Sequence, residues 1–138
     1  MTDFSNLKPG LKGRTRILVG VEQTAPSIGS GKVPVLATPV MINLIEAAAL
    51  AACEHLLPAG YQSLGTHLDV SHVAATPVGM HVEATAELVA VDGRKLTFAV
   101  EAHDDKELIG SGWHDRVVVN VVRFDERIQR KRAQQPPA

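Results

Sequence analysis

Aromatic residues are scarce at 4%, charges of opposite sign almost cancel, and a single cysteine stands in 138 residues. A lone cysteine, Cys53, cannot form an intrachain disulfide, and inside an apolar run it reads as a small core hydrophobe in a reducing compartment. With 14 Lys and Arg against 15 Asp and Glu, there is no basic excess to follow a phosphate backbone, so a nucleic-acid partner is not expected. The opening MTDFSNLKPG has an early acid and no apolar core, and no apolar run approaches the roughly 20 residues that cross a bilayer. A cytoplasmic protein without a membrane partner is the expectation. Neither a Gly-rich phosphate loop nor a serine nucleophile elbow occurs, and Cys53 with His55 or His114 lacks metal-ligand spacing. No metal and no cofactor are expected.

What is present is one long apolar stretch, TPVMINLIEAAALAACEHLL, from Thr38 to Leu57. Met41, Leu44, Ile45, Ala48, Ala52 and Leu56 recur at helical spacing, and Ile42, Ala49, Leu50 and Cys53 fill much of the other side. Such a helix is expected to be wrapped by the rest of the fold. Thr38 followed by Pro39 fits a helix start, the hydroxyl capping free N–H groups and Pro taking the first helical position. Pro58 and Gly60 end it. Between Met41 and Cys53 the only polar side chains are Asn43 and Glu46. A carboxylate in an apolar interior costs several kcal/mol, by rough estimate, unless it is paired, so Glu46 needs a partner or a purpose.

Before this helix, Arg14–Val21 reads as a strand and residues 22–37 as a loop of the kind that forms lids. After it the period changes to that of strands. Ser63–Thr76 is extended, residues 77–79 turn, Met80–Val91 alternates, and Asp92-Gly93 marks a two-residue hairpin. Arg94–His103 places Leu96, Phe98, Val100 and Ala102 on one face, and Leu108–Val122 is the last strand. A strand, a long helix and an antiparallel meander define an α+β class in which the sheet curls around the helix, the hotdog arrangement. The chain reads as one domain over residues 1–138, with a turn-rich lead-in over 1–12 and a charged tail over 124–138. A single helix on one curved sheet leaves edges exposed, so a homodimer is expected.

Parity places one candidate catalytic group. In LDVSHVAAT, His72 shares a strand face with Leu68, Val70 and Ala74, the apolar face that meets the helix. An inward imidazole and the carboxylate of Glu46 would make an acid/base pair, against the simpler reading of a core histidine satisfied by backbone. Thr38 and Glu46 are eight residues apart, about 12 Å along the axis at 1.5 Å per residue, so they can flank one ligand without touching. Gly65 could offer a backbone N–H to a developing oxyanion. Asp69 lies three residues before His72 and so falls on the opposite face, which excludes that pair.

With these segments in view, ATPVMINLIEAAALAACEHLLP, SLGTHLDVSHVAATPVGMHVEATAEL and GRKLTFAVEAHDDKELIGSGWHDRVV, the sequence resembles the fluoroacetyl-CoA thioesterase family of hotdog proteins over residues 36–132. The resemblance implies hydrolysis of a small or short-chain acyl-CoA, with Thr38, Glu46 and His72 as the catalytic residues and Gly65 holding the thioester carbonyl. Arg116 would order the site or meet the CoA. In the family, selectivity for the fluorinated acyl group is associated with aromatic residues in a lid before the central helix. Here residues 22–37 contain no aromatic, and Val33 and Val35 stand in the lid. The competing readings are a non-catalytic acyl-CoA binding or sensing module, and a structural dimer in which Glu46 is merely satisfied by its neighbours.

Overall fold

The computed structural model describes residues 4–136, so residues 1–3 of the lead-in and 137–138 of the tail lie outside it. Strand β1 (Lys12–Leu18) leads through a 3-10 turn at Val21–Gln23 into a one-turn helix α1 (Ala25–Ile28) and then helix α2 (Thr38–Cys53). Four strands follow, β2 (Tyr61–His72), β3 (His81–Asp92), β4 (Lys95–Asp104) and β5 (Leu108–Asn120), and helix α3 (Val121–Ala133) closes the described chain. The strands form one antiparallel sheet in the order β1-β3-β4-β5-β2. This is the α+β hotdog fold.

Alternation builds the core. Val82, Ala84, Ala86 and Leu88 of β3 and Leu96, Phe98, Val100 and Ala102 of β4 all point inward and are buried, each large side chain contributing roughly 1.5–3 kcal/mol of burial. Against them α2 sets Met41, Leu44, Ile45, Ala48, Ala49, Ala52 and Cys53. By length and composition the run Thr38–Leu56 could cross a bilayer, contrary to the sequence expectation. In this fold it is the core helix, seated on the sheet.

Helix α2 lies chiefly on β1 and β3. Gly13 allows this approach, because a Cβ there would meet the carbonyl oxygen of Ala48 and the amide of Ala52. Thr15 Oγ1 then donates to the Leu44 carbonyl at 2.8 Å, fixing strand to helix. By contrast, α2 barely touches β2. One side of the helix is therefore open: Asn43 and Ala51 are exposed, and Ile42, Glu46 and Leu50 are half-buried. Full wrapping was the wrong expectation, because one chain supplies too little sheet to cover the whole helix.

Three local expectations also shift. Ala37 is the N-cap of α2 and Thr38 its first residue, with no side-chain cap bond; the threonine hydroxyl is engaged elsewhere. The β3–β4 hairpin turns on Gly93-Arg94 between the paired Asp92 and Lys95. Gly93 takes φ 61°, the first-position glycine that a II′ turn requires. The charged tail expected from residue 124 is preceded and largely formed by helix α3, which begins at Val121 because Asn120 accepts from the Arg123 amide at 3.1 Å and caps it.

The edge strand β2 has one irregularity that governs the site. Pairing with β5 shifts between Gly65 and His67, leaving Thr66 as a bulge. Ser63 and Gly65 lie opposite Val118 and Arg116, and beyond the bulge Leu68, Val70 and His72 lie opposite His114, Gly112 and Gly110. An odd separation would put Gly65 and His72 on opposite faces of a regular strand. The extra residue at the bulge places both on the helix-facing side.

Candidate active site

Two groups of polar side chains face the interior from opposite ends of β2. At the first, Thr38 Oγ1 and His72 Nδ1 are 2.7 Å apart. The first turn of α2 supplies the hydroxyl and the last residue of β2 supplies the imidazole, turned inward as parity requires. Burial pulls the His72 pKa below its ordinary value, against a smaller opposing pull from the Ala74 backbone, so the ring is neutral near pH 7 and able to accept a proton. Its Nε2 is buried without a hydrogen-bond partner.

This pair opens on a cavity of about 360 Å³ walled by Ala25, Val33, Val35, Leu36, Val73 and Ala74. The loop over the cavity is tied down at both ends. Leu36 donates its amide to the Thr76 carbonyl at 2.9 Å, and Ala25 donates to Val35 at 2.9 Å. Val33 and Val35, the expected lid residues, both line this space. A larger depression of about 780 Å³, lined by Lys12, Arg14, Glu87, Glu101 and Trp113 among others, lies on the sheet face away from α2. No histidine lines it, so no imidazole base is available there.

The second group surrounds Glu46. Its carboxylate abuts Gly65, where a Cβ would collide with Oε2. Arg116 Nη1 donates to Glu46 Oε2 at 3.3 Å, Nε donates to Ser63 Oγ at 2.8 Å, and Nη2 donates to the Ser63 carbonyl at 3.0 Å. Ser63 in turn donates Oγ–H and its amide N–H to the Glu54 carboxylate at 2.7 and 2.9 Å. A buried guanidinium thus joins two carboxylates through a serine, and its planar fork is held on three sides.

His114 completes this group. Its Nδ1 lies 2.9 Å from the His67 carbonyl and must donate to it; Nε2 therefore accepts from Arg116 at 3.1 Å. Burial first, and the Arg116 charge as well, hold the His114 pKa below the ordinary value, against the opposing pull of the His67 carbonyl and of Glu46 and Asp115. The ring is neutral, so its 3.8 Å approach to Glu46 is not an ion pair. Arg116 is the charge partner of Glu46.

The structure joins Thr38 with His72 and Glu46 with Gly65 and Arg116, but it does not join Glu46 with His72. The expected carboxylate–imidazole pair is absent within one chain, because eight residues of helix and seven of strand separate the two ends, about 12 Å and 23 Å by rise. Nor is Glu46 fully buried; its side chain is 38% exposed. Sequence reasoning missed the roles of Ser63, Glu54 and His114. His114 had a readable signal, since it alternates with Arg116 on β5 and so shares its face. Cys53 is buried, its thiol pushed up to about 11 by burial and by nearby Glu54, which leaves it no nucleophilic role. Among the described residues, no three His, Cys, Asp or Glu side chains are grouped to hold a metal ion.

Known proteins share this chain's sequence pattern and its fold. Residues 19–122 match the family model described as fluoroacetyl-CoA-specific thioesterase. A curated fluoroacetyl-CoA thioesterase from Streptantibioticus cattleyicolor is 44% identical over 97 residues, 70% of each chain. A solved structure of the fluoroacetyl-CoA thioesterase FlK superposes with a TM-score of 0.85 at 34% identity, covering 94% of this chain and 98% of that one. Its threonine-to-alanine variant in complex with fluoroacetate also gives 0.85 at 34%, covering 94% and 100%. A thioesterase superfamily member from Thermus thermophilus gives 0.86 at 25%, covering 92% and 94%.

Proposed function

The chain belongs to the fluoroacetyl-CoA-specific thioesterase family and is a thioester hydrolase, and on that premise we propose that it hydrolyses short-chain acyl-CoA esters at a site built from Thr38, His72, Glu46 and Gly65. The observation that carries this reading is the 2.7 Å contact between Thr38 Oγ1 and a neutral His72 at the mouth of a small cavity. A hydroxyl hydrogen-bonded to an unprotonated imidazole is the nucleophile–base unit of acyl transfer. His72 Nδ1 takes the Thr38 proton as Oγ1 attacks the thioester carbonyl. The tetrahedral intermediate expels CoA thiolate, which recovers the proton from His72, and the same imidazole then activates water to release the acid. A backbone N–H such as that of Gly65 would stabilise the oxyanion.

Glu46 and Gly65 lie too far along their elements to serve the Thr38–His72 pair of their own chain. We propose a homodimer joined along β2, in which each site combines Thr38 and His72 of one protomer with Glu46 and Gly65 of the other. Strand β2 is an edge with open backbone groups, its Leu64 and Leu68 are 39% and 40% exposed, and the open side of α2 lies beside it. The acyl group is short, since the cavity offers only about 360 Å³. No aromatic residue lines it to grip a fluorinated group, so unfluorinated short esters are the proposed substrates. A cytoplasmic location and the absence of a resident cofactor complete the proposal. Thiol release from a panel of acyl-CoA esters tests it. Turnover of short esters with lost activity in Thr38→Ala and His72→Ala supports the reading; stable binding without thiol release would instead favour an acyl-CoA binding module.

A further inference from the structure

The cavity beside Thr38 and His72 carries one feature that acyl transfer leaves unused. Lys32 lies on its rim, between Gly31 and Val33 in the loop that roofs it. Among the residues lining the cavity there is no Asp or Glu, and His72, the other titratable group, is held neutral by burial. Among the described residues Lys32 forms no ion pair; the lysines that do are Lys12 and Lys95. The loop is short of freedom here, since Gly29 takes φ 91° to end α1 and Val35 is bonded back to Ala25. Lys32 is exposed, and its ammonium thus stands at the entrance to a small chamber whose other lining residues carry no charge.

We infer that Lys32 is a specificity-determining residue that recognises an anionic group carried by the thioester substrate. The inference rests on the thioesterase reading above. Two sources offer that chemistry: a phosphate of the CoA moiety outside the cavity, and a carboxylate at the far end of the acyl chain inside it. A flexible ammonium makes a point-charge contact without bidentate geometry, so it acts on binding and leaves the Thr38–His72 chemistry alone. KM is then the parameter that moves.

The test measures kcat and KM of wild type, Lys32→Met, Lys32→Glu and Lys32→Arg with three kinds of ester: neutral short-chain acyl-CoA, the same acyl groups on uncharged pantetheine, and ω-carboxyl acyl-CoA. Lys32→Met is expected to raise KM by about two- to fivefold, with Lys32→Glu worse, Lys32→Arg close to wild type and kcat unchanged, in line with an exposed ion pair. A loss on every CoA ester but none on pantetheine esters identifies the phosphates as the anion. A loss confined to ω-carboxyl esters identifies the acyl carboxylate. Equal loss on CoA and pantetheine esters with neutral acyl groups, or no loss on any ester, overturns the inference. Calorimetric binding of S-propyl-CoA and S-carboxyalkyl-CoA thioethers by the same variants reads anion recognition without hydrolysis. If wild type cleaves no thioester, the activity reading fails, and Lys32-dependent thioether binding alone then decides the inference.

Discussion

Thr38 and His72 lie 34 positions apart in sequence and meet at 2.7 Å, the first residue of α2 against the last of β2. If this contact is the nucleophile–base unit, Thr38→Ala and His72→Ala should each lower kcat by about 10²–10⁴-fold, the usual range for losing a positioned proton acceptor or its partner. Thr38→Ser, which keeps the hydroxyl, should retain measurable turnover. Thiol release with purified variants whose far-UV circular dichroism matches wild type is the check, and an active His72→Ala would dismiss the imidazole as base.

Acid should weaken activity and stability in the same interval. His72 works as a base only when unprotonated, and its pKa is held down by burial, so kcat/KM should be level near pH 7 and fall only below about pH 6.5. For stability, both His72 and His114 have folded-state pKa values below the unfolded one. The unfolded chain therefore takes up protons first as pH falls. The stability from keeping these rings neutral is complete above about pH 6.5 and is lost as pH drops through the folded values. Thermal melts across this range should show it, and His114→Gln should flatten the dependence. A melting temperature that rises on acidification would contradict the assignment.

Arg116 ties Glu46 to Ser63 from a nearly buried position. Its replacement by Leu should cost roughly 2–4 kcal/mol in urea denaturation, less than a fully buried pair because Glu46 is 38% exposed. Arg116→Lys should rescue little, since a single compact ammonium nitrogen cannot reach the separate positions that Nε, Nη1 and Nη2 fill. Wild-type stability in Arg116→Lys would show that charge alone suffices.

Gly65 leaves room for the Glu46 carboxylate, and an added methyl would press on Oε2 and come within 3.1 Å of the His114 ring. The displaced oxygen ends a flexible side chain, so the fold should survive Gly65→Ala. Activity should fall by at least about tenfold if Glu46 and the Gly65 amide serve the reaction. Unchanged kcat/KM in a folded Gly65→Ala protein would remove both from the site.

A composite site across two protomers predicts complementation. Thr38→Ala and Glu46→Gln homodimers should each be inactive. After subunit exchange, half the population is mixed, with one of its two sites wild type, so roughly a quarter of full activity should return in a symmetric dimer. Failure to recover activity, with exchange verified by mass spectrometry, would place Thr38 and Glu46 in the same site of a single chain. Light scattering should give twice the 14.7 kDa chain mass, and Leu64→Arg should reduce it.

Much of this protein is decided by local pattern. The helical run from Thr38, the alternation of β3 and β4 and the inward face of His72 follow from periodicity, because side-chain direction in helix and strand is fixed by backbone geometry over a few residues. Only the tertiary structure decided the rest. Thr38 gave up capping because a histidine from a distant strand reached its hydroxyl. Gly65 and His72 share a face because one bulged residue shifts the pleat, and Glu46 found Arg116 rather than His72 because the length of α2 holds the two ends apart. Periodicity carries the direction of a side chain but not the distance between elements, and the partners of a hydroxyl or a carboxylate are set by that distance.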